Sequence, residues 1–166
     1  DAELARPLES SLPDGRRYLV MEWLKGESLG QRTKREALPV AEVCDILDPV
    51  CRALEAAHEK RIIHRDLKPD NVFLMSVKGE KPIVKLLDFG IAKLLGPETA
   101  PVGGDETAAP FRLMTPDFAS PEQVYGRPVT TASDVYSLGV LLYVLVTGRR
   151  PYRFDATTPD NLRAQL

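Results

Sequence analysis

The stretch that decides the fold is His64-Arg65-Asp66-Leu67-Lys68-Pro69-Asp70-Asn71. Taken alone, Asp66 is an ordinary loop carboxylate, and a turn or helix-end contact is the bland explanation for it. Its neighbours change that. Upstream, Val40, Val43, Leu47, Val50, Leu54 and Ala57 recur at spacings of three and four, the stripe of an amphipathic helix over 40–60. Pro49 falls inside that helix and predicts a kink or an unpaired carbonyl. Downstream, Val72 to Met75 and Ile83 to Leu87 are short apolar runs joined by the polar turn Ser76 to Lys81, the pattern of a β-hairpin. The return strand leads straight into a second stretch rich in chemistry, Asp88-Phe89-Gly90.

Further out, residues 91–114 hold Pro97, Pro101, Gly103, Gly104 and Pro110 with little periodicity. They read as a long loop, and such loops inside compact domains usually carry function. Thr131 or Ser133 then offers an N-cap for a helix carrying Val135, Leu138, Val140, Leu141, Leu142, Tyr143, Leu145 and Val146, which stops at Gly148. Apolar residues surround nearly all of it, so it is expected to be a buried central helix. Toward the start, Asp1 to Arg17 reads as loop, with Pro7, Pro13 and the turn pair Asp14-Gly15. Tyr18 to Met21 follows as a short strand ended by Glu22 and Gly26.

Composition narrows the class. The chain has 166 residues, 43% hydrophobic and 28% charged, which suits one globular domain with a sizeable core. A formal net charge of -2 gives no electrostatic reason to expect nucleic acid or an anionic membrane as partner. The chain begins at Asp1, and no charged-then-apolar leader precedes it, so no signal peptide is expected. The longest apolar run, Val135 to Val146, is shorter than the roughly 20 residues a bilayer requires. Cys44 and Cys51 lie seven apart on the first helix, which separates their Cα atoms by roughly 10 Å, too far for a disulfide. They are expected to be buried structural thiols in a reducing compartment. Neither His58 nor His64 completes a zinc spacing.

With the stretches around Asp66 and Asp88 in view, the sequence resembles the protein kinase family, whose catalytic loop and metal-binding motif share this wording and order. Ser120-Pro121-Glu122 is similar to the family's Ala-Pro-Glu, and Asp134-Val135-Tyr136-Ser137-Leu138-Gly139 matches its buried helix. Together these motifs cover Arg17 to Tyr152. The resemblance implies an α+β, two-lobed protein-kinase-like fold, with 1–24 ending the small lobe at the hinge and 25–166 forming a large lobe expected to be incomplete at its C-terminus. It also implies transfer of the ATP γ-phosphate to protein hydroxyls with Mg²⁺, a reaction that asks for positioning and neutralisation of charge. On that match Asp66 accepts the proton of the substrate hydroxyl, and Lys68 bonds the transferring phosphate. Asn71 and Asp88 lie at the two ends of the hairpin, where their oxygens converge on the metal. Lys68 and Thr115 match the Ser/Thr-acceptor pattern, so Ser/Thr side chains of protein substrates are the expected acceptors.

Other roles follow from the same resemblance. Met21 matches the gatekeeper, the backbones of Glu22 and Leu24 match the adenine contacts, and Phe73 matches the floor under the base, with core packing as the plainer reading of Phe73. Ser28 or Glu27 is the candidate ribose contact. Arg65 matches an arginine that pairs with a phosphate on the activation segment, for which Thr107 is the best candidate and Thr99 a poorer one. That Thr107 and Thr99 are both unmodified loop threonines remains open. His64 is expected to pack rather than act as base. Asp134 is expected to anchor the catalytic-loop backbone, and Glu122 to pair with an arginine beyond Leu166.

The sequence also departs from the family. A glycine-rich loop, the lysine on the following strand and its glutamate partner are absent, and only 17 residues precede Tyr18. Glu3 and Lys25 do not match those roles in spacing or context. The chain is therefore expected to be a piece of the fold, itself inactive, from an active parent that resembles bacterial members of the family. Two alternatives stay open: a pseudokinase or scaffold that keeps the fold, and a kinase-like enzyme acting on small molecules. A cytoplasmic location is expected, with any membrane anchor lying in other parts of the parent.

Overall fold

A computed structural model describes residues 8–11, 17–20, 22–89 and 116–152 of the chain. Five strands and four α-helices are present among them. The first pair, β1 (Leu8–Ser11) and β2 (Arg17–Val20), is antiparallel, with Leu8 opposite Val20 and Ser11 opposite Arg17. β1 corrects the expectation of loop throughout 1–17. Its Leu-Glu-Ser-Ser wording has no strand signature of its own, and pairing with β2 makes it a strand.

A second sheet has the order β3-β4-β5, from β3 (Gly26–Ser28), β4 (Val72–Met75) and β5 (Ile83–Leu86), all antiparallel. The β4–β5 hairpin is the one expected from its two apolar runs. β3 was not, because three residues beginning with glycine give no periodicity to read. Gly26 is required there: its φ is +153°, and a Cβ would lie 2.1 Å from the Leu74 carbonyl oxygen. Along β4 burial alternates, so Val72 and Leu74 face the core while Phe73 and Met75 take the other face.

Helix α1 (Leu29–Arg35) starts at Ser28, whose hydroxyl accepts from Gln31 N at 3.2 Å while the Gln31 side chain accepts from Ser28 N at 3.0 Å. This reciprocal cap satisfies two donors that a helix start leaves unpaired. Helix α2 (Val40–Glu59) runs through Pro49 without a break, so the Asp45 carbonyl loses its intrahelical donor. Val43, Ile46, Leu47, Val50, Leu54 and Ala57 are its buried face, close to the stripe read from sequence. Cys44 and Cys51, in contrast, are exposed, which corrects the expectation of buried thiols. Each follows a core residue by one position, about 100° further round the helix.

After the short α3 (Pro121–Val124) comes α4 (Thr131–Thr147). Its N-cap is Thr130, not Thr131 or Ser133, because Ser133 sits at the third helical position and its hydroxyl accepts from Thr130 N at 3.2 Å. Gly148, at φ +66°, closes the helix in the left-handed conformation. The expectation of burial all round is corrected: Val140, Leu141 and Leu145 enter the core, but Val135 is 62% exposed and Leu142, Tyr143 and Val146 also face outward. Helical geometry puts 135, 142 and 146 on one stripe, which α2 leaves largely uncovered although it packs against the neighbouring face. Leu29, Val43, Val50, Leu67, Val72 and Leu141 are among the residues that join α1, α2, α4 and the β4–β5 hairpin into one core.

Candidate functional site

The loop between α2 and β4 is built around two residues that the core swallows. His64 and Asp134 are both essentially inaccessible, at 0% and 1%. Asp134, in the first turn of α4, receives the backbone N–H of His64 on Oδ2 at 2.8 Å and that of Arg65 on Oδ1 at 2.9 Å. His58 on α2 adds a third contact, its Nε2 lying 2.7 Å from Asp134 Oδ2. A buried carboxylate with three partners is well satisfied, and it joins α2, α4 and the loop at one point. The expectation that Asp134 is a backbone anchor agrees with this geometry. His58 was missed. Its only sequence signal is its place beside Ala57, at the last turn of the core stripe.

His64 carries the loop onward to the hairpin. Its Nε2 lies 2.9 Å from the Leu87 carbonyl, which can only accept, so Nε2 bears the proton. Nδ1 is then free to accept from Asp66 N at 3.3 Å. Burial holds the ring's pKa below the ordinary histidine value, against the upward pull of the Leu87 carbonyl and of the carboxylates of Asp134, Asp66 and Asp88. The neutral tautomer matches both hydrogen bonds. Phe89 packs on the same ring, with centroids 4.9 Å apart and planes tilted by 56°.

Arg65 and Asp88 share an uncommon backbone. Their φ angles are +69° and +53°, a conformation that costs a non-glycine residue about 1–2 kcal/mol. Each adjoins a residue fixed by the His64 network, so surrounding contacts hold the strain in place.

Three of the residues singled out by sequence meet here. Lys68 Nζ is 2.9 Å from Asp66 Oδ2. Asn71 is buried, and its Nδ2 donates to the Asp66 carbonyl at 2.8 Å and to Asp66 Oδ2 at 3.2 Å. The short 3-10 turn Pro69–Asn71 delivers Asn71 to the start of β4. Leu87 N donates to the Asn71 carbonyl at 2.8 Å, which brings Asp88 to the same end of the hairpin. An amide oxygen and a carboxylate in that place are hard donors. They suit magnesium, which binds through one or two such groups and completes its shell with water and phosphate. Among the described residues no group of three or more His, Cys, Asp or Glu side chains is placed to hold a metal by itself.

Around this centre, Phe73 is half-buried on the sheet face opposite the core, in register with Ser28 on one side and Lys85 on the other. That facing disfavours the core-packing alternative. The Glu22 carboxylate pairs with Lys85 Nζ at 2.8 Å, and Leu24 is half-buried. Ser28 is engaged in capping α1, and Glu27 pairs with Arg35 at 2.7 Å, contacts that sequence did not suggest. Glu122 accepts a hydrogen bond from the Ser133 hydroxyl. Burial opposes its ionisation, yet hydrogen bonding, foremost from Ser133, brings its carboxyl below the usual range. Met21, Gly90, Thr99, Thr107 and Thr115 lie outside the described residues.

The motifs thus sit in one connected site. A protein kinase domain profile matches residues 4–165. The chain belongs to the protein kinase family. Its α+β architecture, with small antiparallel sheets and helices, is the one expected of that family. Among its relatives is the serine/threonine-protein kinase Pkn1 of Myxococcus xanthus, 44% identical over 151 residues, 91% of this chain and 21% of the relative. The serine/threonine-protein kinase pkn2 of the same organism is 43% identical over 148 residues, 89% of this chain and 17% of the relative. A probable serine/threonine-protein kinase PknB of Corynebacterium glutamicum is 39% identical over 141 residues, 84% of this chain and 20% of the relative. This kinase-family chain therefore spans about a fifth of the length of those relatives. Among its described residues no helix is long and apolar enough to cross a membrane.

Proposed function

We propose that the protein to which this chain belongs is a serine/threonine protein kinase that transfers the ATP γ-phosphate to hydroxyls of protein substrates. Residues 1–24 are the end of its small lobe and 25–166 its large lobe, and it works in the cytoplasm. The observation that carries the reading is the set of contacts around Asp66: Lys68 at 2.9 Å, Asn71 at 2.8 and 3.2 Å, and the anchored backbone of His64 and Arg65 behind it. In this reading Asp66 takes up the proton of the acceptor hydroxyl and aims its oxygen, and Lys68 neutralises charge on the phosphate in flight. Asn71 donates its Nδ2 to Asp66, which leaves Oδ1 as its ligand atom beside the Asp88 carboxylate. Magnesium held there would neutralise the phosphates of ATP. Met21, the backbones of Glu22 and Leu24, and Phe73 take the adenine. Arg65 awaits a phosphate at Thr107, and Thr115 serves the Ser/Thr-type substrate loop that its motif matches. Ser/Thr specificity is favoured by the names of the relatives, all serine/threonine kinases, and by Lys68.

The test is transfer of radiolabelled γ-phosphate from ATP with Mg²⁺ to casein by the full-length protein and its Asp66→Asn variant. Loss of a positioned base lowers such rates by about 10²–10⁴-fold. Transfer by the variant at the wild-type rate, or no transfer by either protein, overturns the proposal.

A further inference from the structure

Gln123 is a polar side chain buried in α3 to which no role has been given above. Both ends of its amide are in use. Nε2 donates to the Arg65 carbonyl at 2.7 Å, and Oε1 accepts from Ser120 N at 3.0 Å. The orientation is unambiguous, because a carbonyl can only accept and a backbone N–H can only donate. We propose that Gln123 is a positioning residue for the catalytic loop, which holds the Arg65–Asp66 peptide plane and thereby aims the Asp66 carboxylate. This rests on the reading of Asp66 as the catalytic carboxylate.

The geometry of one peptide carries the inference. The Arg65 carbonyl and the Asp66 N–H belong to the same rigid plane. Gln123 fixes the carbonyl end, and the N–H end points to His64 Nδ1 at 3.3 Å. On the other side of Arg65, Asp134 Oδ1 holds the preceding N–H at 2.9 Å. Arg65, at φ +69°, is thus gripped at both its peptide groups from two separate elements, α3 and α4. Asp134 alone leaves the following plane free to swing about the Arg65 ψ bond. Gln123 removes that freedom, and Asp66 is the next residue along.

Few side chains can do this. The position needs a donor and an acceptor about four bonds from Cα, and both are buried. Methionine has the length but no hydrogen bond. Glutamate keeps the acceptor for Ser120 N but, when ionised, sets oxygen against oxygen at Arg65. When protonated, its hydroxyl donates to that carbonyl as the amide does. Tying Ser120 to the loop also means that displacement of the 116–124 segment reaches Asp66 directly.

The experiment uses the full-length protein with Gln123→Met and Gln123→Glu, measuring kcat, KM for ATP, melting midpoint, and amide hydrogen exchange of peptides covering 62–67. Losing one buried hydrogen bond that orients a reacting group predicts a fall in kcat of about tenfold for Gln123→Met, with KM for ATP within about twofold. Exchange at 62–67 speeds up while exchange in α2 stays as in wild type. For Gln123→Glu, kcat relative to wild type climbs as pH falls from about 8 to about 5.5 and the introduced carboxyl takes up its proton. An unchanged kcat with unchanged exchange at 62–67 overturns the inference, and so does a loss of kcat with exchange raised over the whole chain. The two failures are separable: if the wild type shows no transfer, or Asp66→Asn retains it, the functional reading falls, while exchange at 62–67 still decides whether Gln123 holds the loop.

Discussion

Asp134 is the side chain on which the loop depends most, and its removal has a calculable consequence. Its carboxylate receives His64 N, Arg65 N and His58 Nε2 at 2.8, 2.9 and 2.7 Å, and it is 1% exposed. In Asp134→Ala both backbone amides lose their acceptor inside the protein, at about 1–3 kcal/mol each. His58, which is partly exposed, finds water instead. Gln123 then holds Arg65 at its carbonyl alone, so the left-handed backbone is free to relax on its amide side and the loop changes shape as well as losing energy. The expected loss is about 2–6 kcal/mol, a large part of the roughly 5–15 kcal/mol that stabilises an ordinary domain. Asp134→Asn keeps one carbonyl oxygen and presents its NH₂ to a donor, so it falls between the two, at about 2 kcal/mol. Urea unfolding of the full-length protein and both variants, followed by far-UV circular dichroism, reads the order wild type, Asn, Ala. Both variants within about 0.5 kcal/mol of wild type would refute the reasoning, as would an Asn variant weaker than the Ala one.

Further outcomes follow from single features. Gly26→Ala drives a Cβ to 2.1 Å from the Leu74 carbonyl oxygen at φ +153°, so β3 must detach or shift, at a cost of about 2 kcal/mol or more visible in the urea midpoint. His64 has a folded pKa below its unfolded one, so the unfolded chain binds the extra proton first. Its stabilising neutral form is complete above the ordinary value near 6.5 and is lost progressively as pH falls below it. The slope of unfolding free energy against pH in that acid range is therefore positive, and His64→Phe makes it shallower; an equal slope in the variant counts against the buried neutral ring. Lys81→Ala breaks an exposed pair with Asp45 at 2.7 Å and changes stability by less than about 1 kcal/mol; a larger loss in the same unfolding assay contradicts its surface character. Thr107→Ala lowers transfer by the full-length protein if Arg65 awaits a phosphate there. Unchanged transfer, with no phosphate on Thr107 by mass spectrometry, removes that role.

The residues proposed to carry chemistry stood out because the motifs of the family fix their types and order. Asp66, Lys68, Asn71 and Asp88 fall beside the ends of a hairpin whose two apolar runs are plain in sequence, and the turn between them forces the ends together. The core stripe of α2 was equally clear, since a 3.6-residue period survives in any amphipathic helix. The same stripe should have warned that Cys44 and Cys51, one step behind Val43 and Val50, face outward.

What sequence left open depends on contacts between elements far apart in the chain. Thr130 caps α4 because Ser133 reaches back to it, a choice among adjacent hydroxyls that spacing does not make. Which apolar face of α4 is covered depends on where α2 lies, since the helix is apolar nearly all round and has no polar side to point to water. His58 and Gln123 belong to no motif that sequence singled out, and they lie 76 and 58 positions from the Asp134 and Arg65 groups they contact. Local patterning therefore determined the two long helices, the hairpin and the candidate reactive side chains, because these follow from neighbours along the chain. Only the tertiary structure decided the backbone of Arg65, because its left-handed conformation is held by carboxylate and amide groups that folding alone brings within reach.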